Sequence, residues 1–487
     1  MTQQQLEKYL WGAATYLRGH IDAGDYKQYI FPLLFFKRIN DVWDEEYEQA
    51  VKESNGDLDY ASFAENHRFQ ITEGAHWNDV RQVTRNVGQA LQKAMRAIEK
   101  ANQDQLYGIF GDANWGNKDR LSDETLINLI EHFSRHKLDL KHVPQDELGN
   151  AYEYLIKQFA DDSGHTAAEF YTNRTVVRLM TLIADPQPGE TVYDPTCGSG
   201  GLLLNAALQL KTAGKEYRTL KLYGQEINLI TSSIARMNMF LHGIEDFAIV
   251  RGNTLSNPGF LNDDELQTFN IILANPPYSI KAWDQKAWAN DPWGRNLWGT
   301  PPQGTADYAF QQHIHKSLDM QNGRCVVLWP HGILFRDAEM EMRKKMIAAD
   351  VVDCVIGLGP NLFYNSPMES CLLICRTNKP KARKGKILFI NAVDELRNEK
   401  SMSFLDEKNI QKIYRAFKNY SSDEDFCKVV AVDEVMKNDA NLAIPLYVGK
   451  SIIKEDKADF EMLVRNWQES SSGLKQSIKH LITTLKA

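Results

Sequence analysis

From about residue 190 onward, short runs of apolar and β-branched residues alternate with runs of helical periodicity. This alternation constrains the fold most, because continuous apolar strands separated by helices form a mostly parallel sheet with helices on both faces. The predicted strands are residues 191–193, 220–223, 247–250, 269–274, 324–329, 351–356 and 370–375. The predicted helices between them are residues 202–213, 229–241, 308–320 and 338–349. We expect a doubly wound α/β sheet whose ligands bind at the carboxyl ends of the strands.

The regions on either side of this sheet have different patterns. Residues 1–150 are predicted to form an all-helical domain, because apolar residues recur there at helical spacing over 29–50, 80–100 and 122–133. Ser122, followed by two acidic residues, is typical of the start of a helix. Residues 401–487 end in two apolar stripes, 460–467 and 474–485, which predict a helical tail with a coiled-coil-like seam or, as the alternative, a helix folded back on its own domain. The expected domains are therefore residues 1–150, 151–400 and 401–487.

Composition and charge limit the class of protein. Of the 487 residues, 56 are Lys or Arg and 64 are Asp or Glu, which gives a net charge of −8. Because affinity for DNA depends on neutralising phosphates, any contact with DNA should be local or made with a basic partner. The longest apolar run is too short to span a membrane, and no signal peptide is evident, so we expect a cytoplasmic protein. None of the six cysteines forms a CxxC pair, and no metal site is expected.

The first motif, DPTCGSGG at residues 194–201, lies between a predicted strand and a predicted helix. Glycines allow the backbone to turn sharply and to approach a ligand without a Cβ in the way. A tight strand–helix turn without a ligand is the alternative. Glu226 follows the next strand, where an acidic residue accepts hydrogen bonds from ribose hydroxyls in nucleoside-binding sheets. A solvated surface carboxylate is the alternative there.

The second motif, NPPY at residues 275–278, directly follows the strand that ends at residue 274. The two prolines stiffen the loop and remove two N–H donors. An amide oxygen and a carbonyl oxygen, here those of Asn275 and Pro276, can accept both hydrogens of one NH2 group. The Tyr278 ring can stack on a planar base. At this place in the sheet, the pattern favours a site that acts on a planar amino group over a plain turn.

In this order, the two motifs and Glu226 resemble the S-adenosylmethionine-dependent amino-methyltransferases, and among them the DNA adenine-N6 methyltransferases. Two further segments are similar to the modification subunits of type I restriction–modification systems. Residues 169–174 (EFYTNR) resemble the cofactor-binding segment that precedes the glycine loop, and DYK at residues 25–27 with FPLLFFKRIND at residues 31–41 resembles the helical N-terminal domain. The resemblance covers about residues 5–400.

The resemblance implies the class I S-adenosylmethionine-dependent methyltransferase fold, with a mostly parallel, seven-stranded sheet and an N-terminal helical domain for DNA and partner contacts. It implies S-adenosyl-L-methionine as cofactor and a catalytic site at Asn275, Pro276, Pro277 and Tyr278. The implied cofactor-binding residues are Glu169, Phe170, Tyr171, Thr172, Asn173, Arg174, Asp194, Cys197, Gly198, Ser199, Gly200, Gly201, Glu226 and Asn253. Two of them depart from the family pattern, which more often has Pro at position 173 and Asp at position 253.

The implied reaction is methyl transfer to N6 of an adenine flipped out of duplex DNA. The implied partners, besides DNA, are a specificity subunit shared by two modification subunits and a translocating restriction subunit; no membrane is involved. Because no readout domain is evident after the catalytic region, we expect the specificity subunit to read the sequence and residues 460–485 to dock on it. The alternatives are a protein glutamine-N5 methyltransferase, whose substrate is also a planar NH2 group, and a non-catalytic cofactor-binding scaffold.

Three weaker features remain open. Trp283, Trp288, Trp293 and Trp298 recur at five-residue intervals after NPPY and predict either a loop that closes on DNA or a packed loop. The basic run at residues 379–386, which precedes a predicted strand at residues 387–390, is interpreted as a charged surface turn, with phosphate contact as the alternative. His313 and His315 should point to different faces of a helix, which disfavours a metal site.

Overall fold

The computed structural model describes residues 1–162, 171–362, 368–399, 402–423 and 425–449. The predicted stripes at 460–485 therefore lie outside the described residues. The segments of regular structure within residues 1–162 are helices, with the bounds α1 Gln3–Gly12, α2 Ala14–Leu17, α3 Lys27–Glu53, α4 Leu58–Ala61, α5 Trp77–Arg81, α6 Val87–Ala101, α7 Gln103–Leu106, α8 Asp123–Ser134 and α9 Gln145–Asp162.

Helix α3 is the centre of the helical region. Its apolar run from Tyr29 to Phe36 is buried, and the polar residues that follow are buried as well. Arg38 donates hydrogen bonds from Nη1 to the carbonyl oxygens of Asp139 and Val143, each at 2.8 Å. Because a buried charge must be paired or hydrogen-bonded, this arginine fixes the turn that leads into α9, the helix that precedes the sheet region in the sequence.

The sequence predicted the start of α8 correctly but missed the break between α5 and α6. Ser122 Oγ accepts a hydrogen bond from the backbone N–H of Thr125 at 3.1 Å, so the predicted start of α8 is confirmed. The single helix expected over residues 80–100 is wrong, because α5 ends at Arg81 and α6 begins at Val87. The Asp123 carboxylate accepts hydrogen bonds from the N–H groups of Asn86 and Val87, at 3.0 and 2.9 Å, and so caps the new helix from another element.

The rest of the chain is built on one sheet. Its strands are β1 Thr191–Asp194, β2 Lys221–Glu226, β3 Phe247–Arg251, β4 Ile271–Ala274, β5 Arg324–Pro330, β6 Val352–Leu358, β7 Ser370–Arg376, β8 Lys386–Ala392 and β9 Cys427–Ala431. Their order is β3-β2-β1-β4-β5-β7-β6-β8-β9. The pairs formed by β7 and the β8–β9 pair are antiparallel, and the others are parallel. The mostly parallel sheet is thus confirmed.

All seven predicted strands are present, but within the described residues the sheet has nine strands instead of seven. The additions to the seven-stranded sheet are β8, which contains the strand predicted at residues 387–390, and β9, which pairs antiparallel with β8 in the register Leu388–Val429. Helix α16 (Glu407–Asn419) packs against this part of the sheet, and its apolar residues Ile410, Ile413 and Phe417 are buried. The sheet therefore continues across the domain boundary expected at residue 400.

Helices cover both faces of the sheet. Their bounds are α10 Arg174–Ala184, α11 Gly201–Thr212, α12 Leu229–Leu241, α13 Gln285–Ala289, α14 Asp307–Lys316, α15 Met340–Ala348, α16 Glu407–Asn419 and α17 Val432–Lys437. Helices α10, α11, α12 and α16 share one hydrophobic core, and α14, α15 and α17 share the other. Successive residues of β5 enter the two cores alternately, as the pleat of a strand requires. Among the described residues, no helix is long and apolar enough to cross a membrane.

Candidate active site

The loop between β1 and α11 is shaped by glycines. Gly198 and Gly200 have φ values of +53° and +79°, a left-handed conformation that side chains disfavour. The backbone N–H of Cys197 donates to the carbonyl oxygen of Gln225 at 2.9 Å, which attaches the loop to β2. A Cβ on Gly201 would lie 1.9 Å from Nη1 of Arg174. A side chain at position 201 would therefore displace the guanidinium group of Arg174.

Asp194 ends β1 at the base of this loop and is 1% exposed. Its Oδ1 atom accepts a hydrogen bond from the N–H of Thr196 at 3.0 Å. Burial, together with the nearby negative charge of Glu226, raises the pKa of Asp194 to about 8. The carboxyl group is thus largely protonated at neutral pH, and a cationic ligand group would favour its ionised form.

Glu226 ends β2, the strand next to β1. Its Oε2 atom accepts a hydrogen bond from the N–H of Gly198 at 3.0 Å, and Oε1 accepts one from the N–H of Asn228 at 2.8 Å. These bonds orient the carboxylate beside the glycine loop. The sequence alternative of a freely solvated surface carboxylate does not describe it. The next residue, Ile227, is 61% exposed, and no sequence motif had drawn attention to it.

The segment before α10 forms another wall of the site. Arg174 pairs with Glu153 of α9 at 2.5 Å, and its guanidinium carbon lies 4.6 Å from the centre of the Tyr171 ring. Glu153 also accepts a hydrogen bond from Asn238 Nδ2 at 2.7 Å, and the same Nδ2 donates to the Ser199 carbonyl oxygen at 3.1 Å. A residue of the helical region thus supports both the arginine and the glycine loop.

The side chain of Asn173 makes structural hydrogen bonds on both sides. It caps α10, since its Oδ1 atom accepts from the N–H of Thr175 at 3.0 Å, while Nδ2 donates to the Ser403 carbonyl oxygen at 2.8 Å. Proline at the same position could make neither of these side-chain hydrogen bonds. Two of the predicted cofactor residues, Glu169 and Phe170, lie outside the described residues.

The NPPY loop continues from β4, the other neighbour of β1. Asn275 Nδ2 donates to Thr172 Oγ1 at 3.1 Å, and the Tyr278 hydroxyl donates to Asn275 Oδ1. Burial raises the pKa of Tyr278 well above its usual value, so the phenol keeps its proton and acts as a donor. Pro276 is buried between them and Pro277 is half-buried. The predicted catalytic motif is therefore in direct contact with the predicted cofactor-binding segment.

One cleft collects residues from all three predicted segments. It is lined by Thr172, Arg174, Asp194, Thr196, Cys197, Gly198, Ser199, Gly201, Leu202 and Asn275. Within the part of the chain that the structure describes, Arg174 Nη2 and Thr196 Oγ1 are buried atoms of this lining without a hydrogen-bond partner, whereas Arg174 Nε is paired with Glu153. An anionic group of a ligand would provide the missing acceptor.

Asn253 is not part of the cleft lining. It is exposed after β3, and its Oδ1 atom accepts a hydrogen bond from the N–H of Leu255 at 3.0 Å within its own turn. The following residue, Thr254, is buried and donates from Oγ1 to the carbonyl oxygen of Pro195 at 2.5 Å. Sequence analysis did not single out Thr254, because a threonine after a strand carries no distinctive signal.

Sequence analysis also missed the support behind the NPPY loop. Asp307 is fully buried at the start of α14, and its Oδ1 atom accepts from the N–H of Ser279 at 2.8 Å. Ser279 directly follows Tyr278 and has a φ of +53°. The other carboxylate oxygen pairs with Arg336, which also pairs with Glu339 at 2.9 Å. Acidic residues are common in the first turn of a helix, so the sequence alone does not distinguish Asp307 from an ordinary helix start.

The remaining candidates are occupied by structural contacts. In the basic run, Lys379 pairs with Asp350 at 2.7 Å and Arg383 with Asp353 at 2.9 Å. His313 lies 3.1 Å from the Tyr193 hydroxyl and His315 lies against Trp298, so the prediction that the two histidines face different ways is confirmed. Among the described residues, no group of His, Cys, Asp or Glu could hold a metal ion.

Family models identify what this arrangement belongs to. The model described as N-6 DNA Methylase matches residues 143–456, well over half of the chain. The chain belongs to the N-6 DNA methylase family. The model of the HsdM N-terminal domain matches residues 6–133 of this N-6 DNA methylase. The family predicted from the motifs is therefore confirmed.

Relatives of this N-6 DNA methylase narrow the assignment. It is 32% identical over 463 residues to the type I restriction enzyme MjaVIII methylase subunit of Methanocaldococcus jannaschii, covering 89% of this chain and 76% of the relative. It is 29% identical to the MpnII methylase subunit of Mycoplasma pneumoniae, covering 99% and 96%. A solved type I methyltransferase subunit from Streptococcus thermophilus matches with a TM-score of 0.79 and 30% identity, over 92% of this chain and 99% of that one. This N-6 DNA methylase is an adenine-N6-specific DNA methyltransferase subunit of the type I restriction–modification class.

Proposed function

We propose that this subunit transfers a methyl group from S-adenosylmethionine to N6 of an adenine flipped out of duplex DNA, with Asn275–Tyr278 as the catalytic loop. One observation carries the proposal: the Asn275 side chain bonds Thr172 and lines the same cleft as the glycine loop. An acceptor for the adenine amino group is thereby next to the predicted donor site. A site built for a single reaction requires this proximity.

The residues of the cleft fit S-adenosylmethionine, which supplies an electrophilic methyl group on a sulfonium when bound. Arg174 and Thr196, whose Nη2 and Oγ1 atoms lack partners, would hold the carboxylate of the cofactor. Asp194 would pair with its ammonium group. Glu226, already oriented by two N–H groups, would accept hydrogen bonds from the ribose hydroxyls.

The adenine ring of the cofactor would lie beyond the ribose. The exposed side chain of Ile227, next to Glu226, offers an apolar surface for it. Asn253 would contact the same ring from the end of the neighbouring strand β3. The backbone of residues 197–201 would pass close to the cofactor, because its glycines present no Cβ there. Tyr171 would act through Arg174, against which its ring is stacked.

The catalytic role of the loop follows from the chemistry of N6. The lone pair of this amino group is delocalised into the purine ring, which makes it a poor nucleophile. When Asn275 Oδ1 and the Pro276 carbonyl oxygen accept its two hydrogens, the nitrogen gains sp3 character and its lone pair is released for attack. Acceptors fixed in advance stabilise the positive charge that develops in the transition state. Tyr278 would release Asn275 and stack on the flipped base.

The chain offers no covalent nucleophile for this reaction at the glycine loop. Burial raises the pKa of the Cys197 thiol well above its usual value, and the nearby Asp194 and Glu226 add to the shift. A protonated, buried thiol is a poor nucleophile. Direct transfer of the methyl group to N6 therefore needs only the two acceptors and the oriented donor.

We further propose that the subunit acts in an assembly, with DNA bound jointly by two modification subunits and one specificity subunit, and with a restriction subunit joining for cleavage. The net charge of −8 supports this, because a chain with excess negative charge needs a partner for most of its phosphate contacts. Deleting residues 455–487 should abolish co-purification with the specificity subunit. Undiminished binding would contradict the docking role of this tail.

The catalytic assignment is tested with Asn275→Ala in the assembled complex. Methyl transfer to duplex DNA should be lost, while the Kd for S-adenosylmethionine should change by less than about twofold, since Asn275 is assigned no hydrogen bond to the cofactor. Asn322→Ala, at an exposed turn before β5 and thus at the amino ends of the strands, is the matched control and should keep full activity. Full activity of Asn275→Ala would contradict the assignment.

The substrate is tested in the same experiment with labelled methyl groups. Label should enter duplex DNA, and a release-factor protein offered in parallel should stay unlabelled. Label in the protein alone would favour the glutamine-N5 alternative. Absence of turnover by the complete complex would favour the scaffold alternative.

A further inference from the structure

Residues 280–304, which carry four of the tryptophans, fold around one buried arginine. Arg295 is 1% exposed. Its guanidinium carbon lies 4.7 Å from the centre of the Trp288 ring and 4.8 Å from that of the Trp293 ring. Asp291, the next charged neighbour, pairs with it at 2.6 Å. Trp288 and Trp298 are themselves buried, so the structure matches the packed-loop alternative for these two rings.

The Arg295 guanidinium extends from its own segment to the loop that follows β3. Nη1 donates to the carbonyl oxygen of Thr254 at 2.8 Å, and Nη2 donates to that of Leu255 at 2.7 Å. Thr254 Oγ1 in turn donates to the carbonyl oxygen of Pro195. The Arg295 side chain therefore holds the loop after β3, and the Thr254 side chain joins this loop to the loop after β1.

The cation is also anchored to the sheet. Burial and the adjacent Arg295 lower the pKa of His313 well below its usual value, so its ring is neutral. Nδ1 of the ring lies 3.3 Å from Arg295 Nη1 and must accept, which places the ring proton on Nε2. Nε2 lies 3.1 Å from the Tyr193 hydroxyl, and Tyr193 precedes Asp194 on β1. Arg295 is thus fixed from both sides before any ligand is present.

The two loops that Arg295 joins border the proposed cofactor site. Asp194 and Thr196 line the cleft on the β1 side. On the β3 side, the N–H of Gly252 donates to the carbonyl oxygen of Glu226 at 2.9 Å, so the loop that carries Asn253 begins at the proposed ribose-binding residue. A shift of residues 252–255 would therefore change the adenine end of the cofactor site.

We propose that Arg295 is a positioning residue for cofactor binding, which fixes residues 252–255 through the carbonyl groups of Thr254 and Leu255 and so sets the affinity for S-adenosylmethionine without touching it. The proposal rests on the proposed function, in which Asn253 and Asp194 contact the cofactor. Arginine suits this role because its planar fork can donate to two carbonyl oxygens and a carboxylate at once.

The test compares two lysine substitutions in the full chain. In Arg295→Lys the positive charge beside Asp291 remains, but a point donor cannot serve both carbonyl groups. Arg324→Lys is the matched control: Arg324 also donates to two carbonyl oxygens, of Ala184 and Asp185, and to a carboxylate, of Glu190, but at the amino end of β5. Equilibrium dialysis with labelled S-adenosylmethionine gives the Kd, thermal unfolding gives the Tm, and the assembled complex gives kcat.

Arg295→Lys should raise the Kd for S-adenosylmethionine about tenfold and leave kcat at saturating cofactor within about twofold, as expected for lost ground-state binding. Arg324→Lys should lower the Tm comparably and leave the Kd unchanged. An unchanged Kd in folded Arg295→Lys, or an equal rise in both variants, would overturn the proposal, because a merely structural arginine gives no such difference.

A second variant keeps the test decisive if Arg295→Lys does not fold. Thr254→Val keeps the shape of the side chain and removes the donor to Pro195, and it should raise the Kd about threefold or more, the loss expected for one hydrogen bond. An unchanged Kd in Thr254→Val would then overturn the proposal. A wild-type complex that binds S-adenosylmethionine but methylates no DNA would contradict the proposed function alone, whereas a wild-type chain without affinity for the cofactor would contradict both.

Discussion

The hydroxyl group of Tyr278 donates a hydrogen bond to the side-chain oxygen of Asn275. The residue expected to stack on the flipped adenine thus occupies, in the free protein, the acceptor expected to receive the hydrogen of its amino group. The adenine amino group must therefore share this oxygen with the tyrosine hydroxyl or displace it.

Substitutions of Tyr278 should separate stacking from the hydrogen bond. Tyr278→Phe keeps the ring and frees the Asn275 oxygen, so methylation should proceed at no less than about half of the wild-type rate, since the hydroxyl makes no contribution to the transfer itself. Tyr278→Ala removes the stacking surface, which is worth about 1–3 kcal/mol per base, and should weaken binding of the extruded base about tenfold or more. Single-turnover methylation and the fluorescence of 2-aminopurine at the target position measure the two effects. Equal behaviour of the two variants would contradict a stacking role.

The raised pKa of Asp194 predicts pH-dependent cofactor binding. Because burial raises the pKa to about 8 and the ammonium group of the cofactor favours the ionised form, binding at pH 7 should release a proton. Affinity should rise as the pH approaches 8, by up to about tenfold per pH unit, and should fall again above it as the α-amino group of the cofactor loses its proton. Calorimetry in buffers of different ionisation enthalpy counts the protons. Asp194→Asn shows what the amino group of the cofactor contributes by itself, and identical profiles for both proteins would refute the assignment.

The raised pKa of Asp194 also determines how stability depends on pH. The pKa of this carboxyl group is 3.8 in the unfolded chain and about 8 in the folded protein, so the protein takes up a proton on folding at pH values between these two. The free energy of unfolding should therefore fall as the pH rises through this interval, and the contribution of this residue should be absent in Asp194→Asn. Chemical denaturation of both proteins at pH 5 and pH 9 compares the slopes.

Asp307 should govern the rate of transfer more than cofactor affinity. Its carboxylate holds the N–H of Ser279, the residue directly after the catalytic motif. Asp307→Ala should lower kcat about tenfold to a hundredfold, because small misplacements of a reacting group are costly, and should leave the Kd for the cofactor unchanged. Ser279→Gly keeps the N–H and relieves the left-handed backbone, so this control should remain fully active. A change confined to the Kd would argue against this role.

Gly201→Ala should weaken cofactor binding through Arg174. The added Cβ would lie 1.9 Å from Nη1 of this arginine, which must then leave its place in the cleft wall. Losing a charge-assisted hydrogen bond of about 1.5–3 kcal/mol would raise the Kd at least tenfold. Gly24→Ala, where a Cβ meets nothing within 4 Å, is the control and should bind normally. Calorimetric titration with S-adenosylmethionine compares the two.

The sequence brings the residues of the candidate site together, because their motifs follow strands that are neighbours in space. Asp194, Glu226 and Asn275 come at or directly after the ends of β1, β2 and β4, and the sheet order β2-β1-β4 brings these ends together. Strands that are buried on both faces consist of continuous apolar runs, and this signal is why all seven predicted strands could be recognised in the sequence. Chemistry and position thus reinforced each other.

What the sequence did not reveal depends on contacts between distant residues. Strand β9 is an edge strand in which exposed and buried residues mix, so its pattern is weak without its partner β8. The start of α6 at Val87, and with it the break after Arg81, depends on a cap that Asp123 supplies from another helix. Asp307 and Arg295 are ordinary charged residues in the sequence, and only their burial reveals which backbone groups they hold.

Glu153 belongs to the helical region, yet it pairs with Arg174 and, through Asn238, supports the glycine loop. If the chain were expressed from residue 171 onward, Arg174 would lack its ion-pair partner Glu153 within the proposed cofactor site. The two regions therefore cannot be exchanged between relatives like independent modules. A chimera would have to carry over α9 together with the sheet it serves.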